Sequence, residues 1–251
     1  MRDKIKGLIL KVWAKLGLTS KPDVVFILSH MRSGSSLLEH ILTTNEQILG
    51  FGEQNRIYNQ ESNLLQMEIF IRWKLKKIFK NYKYVIDQVL HNDYTPNLSL
   101  LKNERIKLIF LLRTPIETIA SIESLGGFPY NINNKGIYNS INYYTDRLNE
   151  LMTISKSVPE SSQFFLTYHD LINNTDSTLS NLDKFLELKT PLKKEYNLKK
   201  STGKLGDRSK YIKKGEIIST TKNSIQLNNE SLEKLNSMYN MTNDYFNFSK
   251  C

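Results

Sequence analysis

The chain alternates short, wholly apolar runs with longer segments of helical period. Asp23-Val-Val-Phe-Ile-Leu28 is an unbroken β-forming run; small polar residues fill 29–36, and a helical pattern covers 35–44. An apolar run without alternation predicts a strand covered on both faces, as in a parallel sheet. Residues 56–79 have the spacing of a long helix, with the basic run 72–80 as its solvated face. Residues 82–90 and 106–112 predict two further strands. Thr114-Pro115 opens a helix, since threonine can cap a first turn and proline suits the first helical position. Gly126-Gly127 closes it. A helix is predicted over 138–154, a strand over 163–167, and a helix over 176–186 with Leu179, Leu182 and Phe185 or Leu186 inward. Beyond Lys189, lysine and asparagine dominate and the pattern fades.

Strands alternating with helices predict an α/β fold of three layers: a central, mainly parallel sheet flanked by helices, of the P-loop nucleotide-binding type. Ligands of such folds sit beyond the carboxyl ends of the strands. That directs attention to 29–36, to 88–92 and to the stretch from Arg113 onward.

Residues 1–20 stand apart. Ile5, Leu8, Ile9, Val12, Trp13 and Leu16 share one helical face, with Lys4, Lys6, Lys11 and Lys15 mostly elsewhere. This predicts an amphipathic helix, packed on the domain formed by 21–251 or resting peripherally on a membrane. Its apolar stretch is too short and too charged to span a bilayer and lacks a signal-peptide cleavage pattern, so a cytoplasmic location is expected. With 251 residues and 39% hydrophobic content, one sizeable core is expected. The net charge of +10 suits a polyanionic partner. No RNA-binding motif accompanies that charge, so a phosphorylated small molecule fits better than nucleic acid. The single cysteine, Cys251, excludes an intramolecular disulfide and a thiolate zinc site.

Ser29-His-Met-Arg-Ser-Gly-Ser-Ser36 resembles an ATP-binding loop in part: Gly34 and Ser36 match, but Ser29 replaces the first glycine and Ser35 the lysine. Without that lysine an ordinary kinase or GTPase is disfavoured. Backbone N–H groups at a helix N-terminus still make an anion cradle, and the positive charge has moved forward to Arg32. A second group follows the strand at 106–112: Arg113, then Pro115, then Ser121. A guanidinium offers paired donors to phosphate, and a hydroxyl can complete the shell.

Met31-Arg-Ser-Gly-Ser-Ser-Leu37, Arg113 with Ser121, Phe165-Leu-Thr-Tyr-His-Asp-Leu171, and Thr202-Gly-Lys-Leu-Gly-Asp-Arg-Ser-Lys210 together resemble, in order, the sulfotransferases that use 3′-phosphoadenosine 5′-phosphosulfate (PAPS). His169 departs from the family's strand-end glutamate. The resemblance spans residues 24–216. It implies PAPS as co-substrate and a hydroxyl acceptor, here a glycan or glycolipid. It also implies that Arg32, Ser33, Gly34, Ser35 and Ser36 cradle the phosphosulfate and that Arg113 and Ser121 hold the 3′-phosphate. Lys204, Arg208 and Lys210 would belong to a loop closing over the nucleotide, and no metal is implied. Two residues compete as catalytic base: Glu53, in Gly50-Phe-Gly-Glu-Gln, and His91, after the strand at 82–90. Where relatives carry a lysine, this chain has Gln88, which leaves the assisting cation open. His30 is read as a neighbour of the loop. Phe128, Tyr130, Tyr138, Tyr143 and Tyr144 are candidates for the acceptor side. The competing functions are a nucleotide kinase with a degenerate loop, for which Asp87 is the magnesium candidate, and a non-catalytic anion-binding protein.

Overall fold

A computed structural model describes residues 21–127, 136–199, 202–203, 211–218 and 224–248, together with Leu8 and Val12. The sheet contains β1 (Asp23–Ser29), β2 (Ile48–Gly50), β3 (Tyr84–Val89), β4 (Ile106–Leu112) and β5 (Gln163–Thr167), in the spatial order β2-β3-β1-β4-β5. Every pairing is parallel. Parallel strands need crossovers that lie on the sheet faces, so the central strands lose contact with water. Val25, Phe26, Ile27 and Leu28 are all fully buried. Each such side chain contributes about 1.5–3 kcal/mol of burial, which makes β1 the keel of the domain.

Successive residues of β1 point into two different cores. Val24, Phe26 and Leu28 meet α2 (Glu61–Leu75), α3 (Leu98–Leu101), α4 (Pro115–Glu123), α5 (Ile137–Lys156) and α8 (Asn229–Phe248). Val25 and Ile27 meet α1 (Ser35–Thr44), α6 (Tyr168–Asn173) and α7 (Thr175–Leu186) on the other face. These are the three layers expected from the alternating pattern. From β1 the chain goes to the edge strand β2, returns to place β3 between β2 and β1, then crosses to β4 on the opposite side of β1. That reversal opens a crevice at the carboxyl end of β1.

Two expectations change, and two elements are added. The helix predicted over 56–79 is confined to α2, opened by a reciprocal capping box between Gln60 and Asn63 and closed by Lys76 in the left-handed conformation. The run 72–80 is therefore not one solvated face. Arg72 is fully buried, with Nε 2.8 Å from Glu68 and Nη1 2.7 Å from the Lys80 carbonyl. It satisfies the carbonyls of the turn that ends the helix. The pattern does not predict β2, whose three residues are too few to show a period.

The Asn-rich tail also contains an element the pattern missed, α8. Its Leu235, Thr242 and Phe246 are buried along one stripe, and the Phe246 ring stacks on Phe165 at 4.7 Å. The helix predicted over 1–20 lies outside the described residues except for Leu8 and Val12, both helical and exposed. Among the described residues, no helix is long and apolar enough to cross a membrane.

Candidate active site

Residues 30–34 join β1 to α1 and turn sharply. Arg32 has φ 62° and Gly34 φ 99°, both in the left-handed region. Gly34 is required for a second reason: a Cβ there would lie 2.5 Å from the Tyr168 ring. No side chain caps α1, so its first N–H groups remain available at the crevice. The loop is braced from beneath. The Ser29 hydroxyl donates to the Leu111 carbonyl at 2.8 Å and contacts the Ser33 hydroxyl, which is fully buried. Ser33 thus stiffens the loop through its side chain, while Arg32, Gly34 and Ser36 are only half-buried.

His30 is structural in its contacts. Its Nδ1 lies 2.9 Å from the Met31 carbonyl, and its Nε2 accepts the Arg113 N–H at 3.0 Å. Those partners call for the neutral Nδ1–H form. Complete burial, helped by the charges of Arg113 and Arg147, pushes its pKa down to about 3. His30 therefore ties the end of β1 to the end of β4 and sets where Arg113 begins.

The two predicted anion clamps converge. Arg32 Nε donates to the Ser121 hydroxyl at 2.9 Å, and Arg113 Nη1 donates to the Arg32 carbonyl at 3.2 Å. Arg113 Nε also pairs with Glu117 at 3.2 Å, one helical turn away, and its guanidinium lies 4.1 Å above the Tyr168 ring. Tyr144 donates its hydroxyl to the Arg113 carbonyl at 2.7 Å and is fully buried. It supports Arg113 from inside and is withdrawn from the acceptor side. Tyr138 is exposed; Phe128 and Tyr130 lie outside the described residues.

Glu53 and His91 form the other half. The loop carrying Glu53 is held by the backbone on either side of it. Gly52 N–H donates to Glu39 at 3.1 Å, and Gln54 N–H donates to Asp87 at 3.0 Å. Both carboxylates are buried. Asp87 also accepts the Tyr58 hydroxyl and the Gln88 N–H, so it is occupied as an internal brace. Glu53 Oε1 ends 3.8 Å from His91 Nε2, and each side chain keeps about a quarter of its surface open, 23% and 22%. Burial pushes the Glu53 pKa up to about 7, against the opposing charge of Arg147. Burial, with Arg147, lowers that of His91.

Tyr143 joins the halves: its hydroxyl accepts the Met31 N–H at 2.6 Å and donates to the Leu90 carbonyl at 2.7 Å, beside His91. Gln88 is buried in β3. Lys204, Arg208 and Lys210 lie outside the described residues, but the residues just before them are anchored at the site. Thr202 Oγ1 lies 2.8 Å from His40 Nε2, and Lys199 pairs with Glu39. Residues 199 and 202 are thus held at the second turn of α1.

Sequence reasoning missed Tyr168, Glu39, Lys199 and Arg147 as site residues. Arg147 had a signal: it falls on the stripe of Tyr144, Leu148 and Leu151 in α5, where a charge must find internal partners. His169, noted as a departure, is exposed on α6, while the adjacent Asp170 closes a capping box with Thr167.

No protein-family model matches the chain, and no curated protein matches it. Solved structures do. The sulfotransferase domain of the Synechococcus PCC 7002 olefin synthase aligns with a TM-score of 0.60 at 16% identity, over 88% of this chain and 95% of that one. The sulfotransferase domain from the curacin biosynthetic pathway aligns with a TM-score of 0.56 at 17% identity, over 88% and 98%. Mouse sulfotransferase SULT7A1, solved in complex with PAP, aligns with a TM-score of 0.53 at 12% identity, over 95% and 90%. The chain has the sulfotransferase fold.

Proposed function

We propose that this protein transfers a sulfonate group from PAPS to an acceptor hydroxyl, with a glycan or glycolipid as acceptor class. The observation that carries the reading is the convergence of Arg32, Arg113 and Ser121 at the open start of α1, with Glu53 and His91 tied to the same loop through Tyr143. The residues suit the co-substrate: the left-handed turn at Gly34 clears the loop, the Arg113 guanidinium reaches the Arg32 carbonyl, and the Arg32 side chain reaches Ser121. PAPS, when bound, supplies an activated sulfonate on a bisphosphate leaving group.

Arg32 and the first N–H groups of α1 neutralise charge on the 5′ side, where it builds up during in-line displacement. Arg113 and Ser121 hold the 3′-phosphate. Glu53 takes the acceptor proton: it is partly open, fixed by its two neighbouring amides, and has a pKa near the working pH, where a general base is most effective. His91 orients Glu53 or the acceptor. A cytoplasmic location, with residues 1–18 touching a membrane surface, belongs to the same proposal.

Calorimetric titration tests the nucleotide assignment. Adenosine 3′,5′-bisphosphate is expected to bind at least tenfold tighter than ATP with magnesium; the reverse order would make the protein a kinase-like phosphotransferase. Screening hydroxyl acceptors with labelled PAPS then tests transfer, and tight bisphosphate binding with no transfer to any acceptor would mark a non-catalytic binder.

The pH profile provides a separate check. Glu53 works only as the carboxylate, so turnover should rise with pH through about 7 and level off above 8. At pH 6 roughly a tenth of the plateau rate is expected, since one pH unit below a pKa leaves about a tenth of the group ionised. A profile flat from pH 5 to 8 would remove Glu53 from the role.

A further inference from the structure

Arg147 lies on α5, outside every motif, yet it is fully buried at the carboxyl end of the sheet. Its Nε donates to the Ser29 carbonyl at 2.9 Å and its Nη2 to the Val89 carbonyl at 2.6 Å. These are the last residues of β1 and β3, where neighbouring strands stop pairing and their carbonyls need other donors. Its Nη1 donates to Asn92 Oδ1 at 2.9 Å and to the Thr95 hydroxyl at 3.3 Å. One guanidinium therefore spans the strand that leads into the anion loop, the strand that leads into His91, and the turn after it.

We propose that Arg147 is a positioning residue of the transfer centre: it locks the ends of β1 and β3 and the 92–95 turn into one frame, and so holds its buried charge at the residues flanking His91, the neighbour of Glu53. This rests on the reading of Glu53 as the base.

Among the described residues, four charged or titratable side chains are placed against Glu53 or its loop. His91 faces it from the end of β3, Asp87 lies within β3, Arg147 comes from α5, and Glu39 of α1 holds the preceding amide. Asp93 acts on His91 from the turn. Of these, Arg147 is the cation that opposes the effect of burial on Glu53.

Carbon-13 NMR titration of labelled glutamate carboxyls tests the proposal, the Glu53 signal being assigned by its loss in Glu53→Gln. Two variants remove the net charge. Arg147→Met deletes it, and Asn92→Asp, isosteric and already bonded to the guanidinium, neutralises it without deleting the frame. Both are expected to raise the Glu53 midpoint by about one pH unit, and Arg147→Lys should leave it near the wild-type value. The acidic limb of turnover should move with the midpoint.

A wild-type midpoint in folded Arg147→Met, or in Asn92→Asp should the methionine variant not fold, overturns the proposal, because a purely structural arginine would not move a titration. The titration needs no turnover. It therefore reads Arg147 even if the acceptor screen were to reject sulfonate transfer.

Discussion

Glu53→Gln is expected to lower turnover by about 10³-fold while leaving the affinity for adenosine 3′,5′-bisphosphate within about twofold of wild type. The substitution keeps the shape of the side chain and removes only the ability to take a proton. Nothing that holds the loop depends on that ability, because the 52–54 backbone is fixed by Glu39 and Asp87 through amide groups. The proposed anion clamps, centred on Arg32, Arg113 and Ser121, should not sense the change. His91 is the control. Its Nε2 is 3.8 Å from Glu53, so His91→Asn should disturb the orientation of the base and cost about tenfold, well short of the loss at Glu53. Turnover with labelled PAPS, measured beside calorimetric titration, decides. If His91→Asn lost the larger factor while Glu53→Gln stayed active, the base would be His91 and Glu53 its orienting partner.

The parts of this site that were legible in the sequence are those written in consecutive residues. The small-residue turn 29–36 shows itself because a non-glycine sequence seldom tolerates two left-handed positions, and here Gly34 marks one of them. Arg113 shows itself because it ends an apolar run that can only be a strand. The core of the sheet was equally plain: β4 and β5 have the predicted bounds, since buried parallel strands are rich in apolar residues, here Leu108 to Leu112 and Phe164 to Leu166.

What stayed hidden depends on contacts across the fold. Arg147 joins residues more than fifty positions away, and no local pattern says which carbonyls a buried guanidinium will meet. Glu39 looks like one polar residue in the helical run of α1, yet it is 1% exposed and holds Lys199 and Gly52 together. Arg72 misled because a basic run reads as solvent-facing until the chain folds back over it. Even α8 has the required stripe, but at a spacing diluted by the asparagines around it. At Arg147 and Glu39 the partner decided the role and lay elsewhere in the chain.

Arg32→Gly provides the other large effect, because it separates what the backbone needs from what the side chain does. Arg32 sits at φ 62°, which costs an L-residue with a side chain about 1–2 kcal/mol that glycine does not incur. Glycine brings extra freedom to the unfolded chain, worth about 0.4–1 kcal/mol, and loses the hydrogen bond to Ser121, worth about 1 kcal/mol. These nearly cancel, so the melting temperature should stay within about 4 °C of wild type. The carbonyl that receives Arg113 remains in the variant, so Arg113, proposed to hold the 3′-phosphate, keeps that contact. Turnover should nevertheless fall by about 10²–10³-fold, as for removal of one preorganised donor to a developing charge. Arg32→Lys should recover part of that loss, since it restores the charge without the forked geometry. Scanning calorimetry and transfer assays on the two variants are sufficient to decide. A stable, fully active Arg32→Gly enzyme would mean that the strained turn is kept for the backbone alone, and the 5′ side of the site would have to be rebuilt around other cations.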